Sequence, residues 1–307
     1  MRRMSWVMLA GLGLAASGSV VHAQPAPPQA DMPADYAAVL STLGRGGDFK
    51  QGVLKVNLPR TDLSVTIRDR KVPTALGFGG WVALTKAEGP HEVLMGDLVL
   101  TEAEVNPVMS ALLEQGFDVT ALHNHFFWEQ PRIFYMHVHG MGTAAELATR
   151  LKPALERMGK PAPPPAAPPA TPSPVSAPTL DDAAISAAIG APGERSGAVY
   201  KITIGRSDLT MKEHGAAINA RMGLNTWAAF TGTDADAMVA GDVAMLEREV
   251  TPVLKALRAN AIEVVAIHHH MIGETPNVFF LHYFGTGPAA TLAKGVRAAV
   301  DVLGKRP

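Results

Sequence analysis

The 307-residue chain contains no cysteine. Disulfides, thiolate metal sites, cysteine nucleophiles and lipid attachment through an N-terminal cysteine are therefore excluded. Excess charge is lacking too: 27 Lys and Arg against 28 Asp and Glu leave a net charge of −1. A general nucleic-acid binder clusters basic residues to neutralise phosphates, so this balance argues against nucleic acid as a partner. Beyond the N-terminus no segment reaches the roughly 18 unbroken apolar residues of a membrane-spanning helix, and none is expected in the mature protein. Gly-rich phosphate loops and nucleophile elbows are also missing. What the chain does have is apolar mass, 47% of residues against 18% charged, enough to bury a core.

The N-terminus reads as an export signal. Arg2 and Arg3 are followed by an apolar stretch from Trp6 to Ala16 and then by Val21-His22-Ala23. These are the three parts of a signal peptide, with cleavage expected after Ala23 and a periplasmic or secreted product. Residues 24–35 form a Pro/Ala-rich leader, and nine prolines between Lys160 and Pro178 mark a linker over 159–180. A proline tract of this kind favours extended geometry and packs no core.

The two flanks of the linker are copies of each other. Residues 96–156 and 241–301 align without a gap at an offset of 145, with 24 identities in 61 positions. Upstream the offset is 146, matching Arg60-Thr61-Asp62 with Arg206-Ser207-Asp208 and Trp81 with Trp227. Two domains of roughly 120 residues follow, over 36–158 and 181–304. Whether they form one body or two is left open by the sequence.

Within a copy the expected order is β-β-β-β-α-β-β-α, an α+β fold with a mainly antiparallel sheet and two helices. Asn106-Pro107 and Thr251-Pro252 offer an N-cap followed by proline at the first helical position. That start is preferred over Thr101 with Glu104, a capping box, because Leu246 replaces the threonine in the second copy. Val119–Phe127 and Arg132–His139 then read as an antiparallel hairpin turning at 129–131.

The chemistry is expected in that hairpin. The first copy places His123, His125, Glu129 and His137 at the spacing HxHx3Ex7H, and the second repeats it with His268, His270, Glu274 and His282. Residues two apart in a strand share a face, and an even-sum register brings His137 onto the same face as His123 and His125. Met136 and Val138 would then face the helices. Three imidazoles and a carboxylate per copy form a donor set for a divalent transition metal such as Zn, Mn, Fe, Ni or Cu, giving two such sites. Hydrogen bonding to neighbouring strands, or binding of another small ligand, are the alternatives.

Other repeated features have simpler readings. Gly96-Asp97 and Gly241-Asp242 could supply an extra carboxylate, but suit a turn or cap better. The Arg-x-Asp pairs could bind an anion but suit a surface ion pair better, and Trp81 and Trp227 suit the core better than a ligand platform. Asn124 and His269 point off the site face, and His91 and His214 have no counterpart in the other copy.

A Trp strand, Gly-Asp, Glu-Val-x-Pro-Val, His-x-His, a Glu-x-Pro turn and a Phe-rich strand ending in Gly-x-Gly, all in tandem, resemble the bacterial LppY/LpqO family. That resemblance implies an exported protein but no reaction, because the family's function is unknown. The His-x-His-x3-Glu spacing also resembles the first motif of cupins, in donor set rather than in fold. The functions in play are metal binding, a metal-dependent periplasmic enzyme with a cupin-like donor set, or a non-metal envelope interaction module. Catalytic residues and oligomeric state are not assigned.

Overall fold

A computed structural model describes residues 32–159 and 179–305. The expected signal segment, the leader up to residue 31 and the linker from 160 to 178 lie outside the described residues. The first copy runs α1 (Ala34–Leu43), β1 (Gly47–Lys50), β2 (Val53–Pro59), β3 (Val65–Ile67), β4 (Arg70–Val72), β5 (Gly79–Lys86) and β6 (Glu92–Thr101). It continues through α2 (Glu102–Glu114), β7 (Asp118–His123), β8 (Glu129–Gln130), β9 (Ile133–Gly142) and α3 (Ala144–Leu155). The second copy opens with α4 (Asp182–Ile189), β10 (Gly193–Ser196), β11 (Val199–Gly205), β12 (Met211–Glu213), β13 (Ala216–Ile218), β14 (Asn225–Gly232) and β15 (Ala237–Leu246). It closes with α5 (Glu247–Ala259), β16 (Glu263–His268), β17 (Val278–Gly287) and α6 (Ala289–Val300).

Each copy builds a six-stranded antiparallel sheet, in the orders β1-β2-β5-β6-β9-β7 and β10-β11-β14-β15-β17-β16. The α+β duplication is thus the observed architecture, with one more helix at the start of each copy than the sequence pattern suggested. Those helices, α1 and α4, are alanine-rich, and their apolar spacing is weak.

Alternation along the strands assigns the two faces of each sheet. In the first copy Leu54, Val56, Val82, Leu84, Leu98, Met136 and Val138 point toward α1, α2 and α3 and pack with Val108, Leu112, Leu147 and Leu151. Met136 and Val138 therefore lie where the pattern placed them. The opposite faces of the two sheets meet each other. Ala83, Val93 and Met95 share a buried cluster with Met211, Met222 and Phe280, and Phe78 and Val99 share another with Met238 and Phe284. The described residues of the two copies form one compact unit. The layers run helix, sheet, sheet, helix, and β6 and β15, covered on both faces, are buried almost throughout. One copy alone would leave a half-apolar sheet face in water; the other copy covers it.

The helix after β6 starts earlier than the sequence suggested, at Glu102 and Glu247, and Pro107 and Pro252 sit inside it. A cap hydroxyl is not what sets the start. The Glu104 carboxylate accepts the Thr101 amide at 2.7 Å, and Glu249 accepts the Leu246 amide at 2.8 Å, so leucine at the cap position is tolerated. The same carboxylates take Arg60 at 2.9 Å and Arg206 at 2.8 Å. They also accept the amides of Gly159 and Gly304, each near the end of its copy. The Arg-x-Asp motif is therefore not a surface pair: both guanidinium groups are buried, and only Asp62 and Asp208 reach solvent. Replacing Arg206 with methionine leaves Glu249 charged and uncompensated in the interior. The expected loss is about 3–5 kcal/mol in chemical denaturation, against well under 1 kcal/mol for an exposed ion pair.

Candidate functional site

A row of side chains crosses each sheet on the face turned toward the other copy. In the first sheet the register runs Asn57, Trp81, Asp97, His137, Ala121 across β2, β5, β6, β9 and β7. In the second it runs Thr203, Trp227, Asp242, His282, Ala266. His123 and His268 are the last residues of β7 and β16, two positions along from the alanines and on the same face. They stand opposite Tyr135 and Phe280, in the even register, which an irregularity between Val119 and Ala121 and between Val264 and Ala266 establishes.

His125 and His270 lie beyond the strand ends, in loops. There they stack on the rings opposite the other histidine: His125 on Tyr135 with centroids 3.2 Å apart, His270 on Phe280 at 3.3 Å.

The faces meet with all six histidines in one cluster. His123 stacks on His268 at 3.7 Å, His125 on His282 at 3.5 Å, and His137 on His270 at 4.0 Å. Each of these pairs joins one copy to the other. The closest contacts are therefore not within a copy, where His123 and His125 are 5.2 Å apart. Two triads, His123/His137/His268 and His123/His125/His282, bring one nitrogen from each ring within 4.8 Å of the others. Two separate centres, one per hairpin, are not what the fold builds.

Glu129 and Glu274 are not in the cluster. The segment between β7 and β9 is a long loop rather than a three-residue turn, and β8 within it pairs with β3. Glu129 accepts the Ile133 amide at 3.4 Å and Glu274 the Val278 amide at 3.2 Å, so each carboxylate braces the entry to the next strand. Asn124 supports the same loop through a 2.7 Å bond to the Ile133 carbonyl. The carboxylates that do face the cluster are Asp97 and Asp242. Gly-Asp is not a turn here: it lies in the middle of a central strand, where a Cβ on Gly96 would collide with Val82 and Val138. The Asp242 carboxylate is 3.7 Å from His270 Nε2. The mid-strand placement was legible in the apolar run around each Gly-Asp, since a buried aspartate inside such a run has no turn to serve.

Burial dominates the electrostatics. It pushes His123 down to about 4. His125, His137, His268, His270 and His282 are held well below the usual imidazole range, by burial first and then by repulsion from neighbouring imidazoles. These rings are neutral at neutral pH and carry lone pairs. Burial also pushes Asp97 up to about 7, and Asp242 up as well, with Asp97 as the next cause. Among the described residues, Nε2 of His123, His125, His137, His268 and His282 has no hydrogen-bond partner. His282 Nδ1 lies 3.3 Å from the Gly241 carbonyl, which leaves its Nε2 aimed into the cluster.

The cluster opens on a cavity of 730 Å³ between the sheets, whose walls include Lys55, Trp81, Asp97, Lys201, Trp227 and Asp242. The tryptophans are half-buried walls of this space, not core. The Lys55 ammonium sits 4.4 Å from the Trp81 ring centroid and Lys201 4.3 Å from that of Trp227. The lysines lack a sequence signal as strong as the histidines, but they are an aligned pair at the 146 offset on alternating strands. His139 has no partner in the repeat; its Nδ1 lies 2.5 Å from Glu213 of the other copy, behind His137.

With the geometry in place, the chain can be set beside other proteins. A family model described as Domain of Unknown Function (DUF1259) matches residues 37–157 and again 183–302. The chain belongs to this family. It carries the family's domain twice, and the two matched stretches are the two copies whose faces meet at the histidines. No curated protein matches the chain. Among solved structures it is similar to a trimeric bacterial microcompartment shell protein PduB, at 11% identity over 85% of this chain and 91% of that one, with a TM-score of 0.21. EtuB from Clostridium kluyveri is similar at 8% identity over 83% and 90%, with a TM-score of 0.20. Scores of this size establish no shared architecture. Among the described residues no helix is long and apolar enough to cross a membrane.

Proposed function

We propose that this DUF1259 protein binds a divalent transition metal at a single centre shared by its two copies. The observation that carries the reading is the convergence of six buried, neutral imidazoles whose Nε2 atoms are largely without partners. A buried polar atom left unpaired costs on the order of 1–3 kcal/mol, and a cluster of them is retained only if something satisfies it. Imidazole sets suit Zn, Cu, Ni or Fe, and Asp97 and Asp242 face the same cluster from the row that carries His137 and His282. The reading keeps the exported setting and the LppY/LpqO likeness as part of the proposal.

The cavity on the cluster favours, as a second reading, a metal-dependent enzyme: a closed structural site has no use for 730 Å³ of adjoining space. Metal analysis of untagged protein is the first test. Bound metal, or a rise in thermal midpoint on adding Zn, Cu, Ni or Fe, is expected. No metal and no stabilisation by any of them removes the proposal. Replacing Glu129 and Glu274 by glutamine should leave the metal content unchanged, because both bond backbone amides away from the cluster.

A further inference from the structure

The cavity has chemistry of its own on the side away from the histidines. Lys55 on β2 and Lys201 on β11 occupy equivalent places in the two copies and line the same space. Among the described residues neither ammonium has a carboxylate within ion-pair distance. The neighbouring cations are already committed: Arg221 is 2.9 Å from Asp48, and Lys50 is 3.3 Å from the same carboxylate. Asp97 and Asp242 lie deeper, in the row that includes His137 and His282.

The two lysines repel each other. Lys55 is pushed down to about 8, by burial first and then by Lys201 and Arg221, with Asp48 and Asp97 opposing the shift. A stack on tryptophan holds each ammonium in place but does not neutralise it. Their cross-strand neighbours Asp48 and Glu194 stop short of ion-pair distance, so two cations fixed over tryptophan rings keep hydrogen-bond donors for negative oxygen atoms. The space also has the size of a small-molecule site, which typically spans about 300–1,000 Å³.

We propose that the cavity binds a small oxyanion, a carboxylate or phosphate group seated between Lys55 and Lys201, with the remainder of the ligand extending toward the histidine cluster. The site does not need a metal to work, so it can be tested apart from the metal reading. A metal at the histidines would add positive charge on the far side and tighten the same ligand.

The test is calorimetric titration of the full chain, stripped with chelator, using inorganic phosphate in one series and malonate in another. Saturable binding of at least one is expected, and which one binds assigns the group. In K55M/K201M the affinity should fall at least tenfold, and in K55R/K201R it should be largely kept. If the double methionine variant does not fold, K201M alone should still weaken binding severalfold. No saturable binding of either probe, or equal affinity in the methionine variants, overturns the proposal. Metal content, measured on the same variants before stripping, should stay at the wild-type level, because a protonated lysine offers no lone pair. Loss of anion binding with metal intact, or the reverse, therefore tells the two readings apart.

Discussion

Glutamine at His123, His125 and His137 together removes all of the bound metal, not half of it. Two independent centres, one per hairpin, would leave the second copy's His268, His270 and His282 holding their ion. In the observed geometry that trio has no centre of its own: His268 stacks on His123, His270 on His137, and His282 on His125. Both nitrogen triads draw on the first copy, and both contain His123. Glutamine keeps much of the imidazole volume, so the face-to-face packing of the sheets is retained, which circular dichroism and thermal unfolding check. Metal per chain, read by mass spectrometry, should fall to background, a loss of more than about 100-fold in affinity given that even outer supporting residues cost 10–100-fold. A folded variant that keeps half of its metal would show two separate centres.

The metal-free protein should unfold steeply as pH falls from about 6.5 toward 5. An unfolded chain protonates its histidines near 6.5, whereas the folded protein resists: His123 waits until about 4, and burial holds the other five well down. Stability is thus fully present above pH 6.5 and lost as pH falls toward the folded values, because the unfolded state binds more protons. Asp97 and Asp242 act in the opposite sense. Burial raises them, so the folded form takes up their protons first, Asp97 at about 7, and gains stability as pH drops. Six histidines against two carboxylates leave a net of about four protons, on the order of 5 kcal/mol per pH unit at the steepest point. A protein with about 5–15 kcal/mol of stability cannot absorb that for long. Fluorescence of Trp81 and Trp227, both in the cavity wall, reports the transition. A flat profile from pH 8 to 4.5 would falsify the burial of the cluster. Added metal should move the midpoint to lower pH, since it holds the imidazoles in their neutral form.

Much of the fold was legible in the residues. The offset of 145 disclosed the duplication, and alternation placed Met136 and Val138 on the helix side with His137 on the other. Parity also put His123 and His137 on one face, as the even register beyond the irregularity at Val119–Ala121 does. Local competition obscured other points. Leu246 cannot cap a helix by its side chain, so the earlier helix start was set aside, yet the Glu249 carboxylate caps the backbone. Glu129 looked like a ligand because it keeps its spacing in both copies. That spacing serves the loop, where the Ile133 amide needs an acceptor.

The sequence by itself determined the duplication, the α+β class of each copy, and which face of each sheet carries the histidines, because these follow from periods of two and from a repeat offset. Only the tertiary structure decided that the two faces meet. An amphipathic strand records that one face is apolar or polar, not what lies opposite it. The partners of His123, His125 and His137 are His268, His282 and His270, between 133 and 157 residues away, in a sheet brought over by packing. Packing also exchanged the carboxylates at the cluster, bringing Asp97 and Asp242 in and leaving Glu129 and Glu274 in their loops.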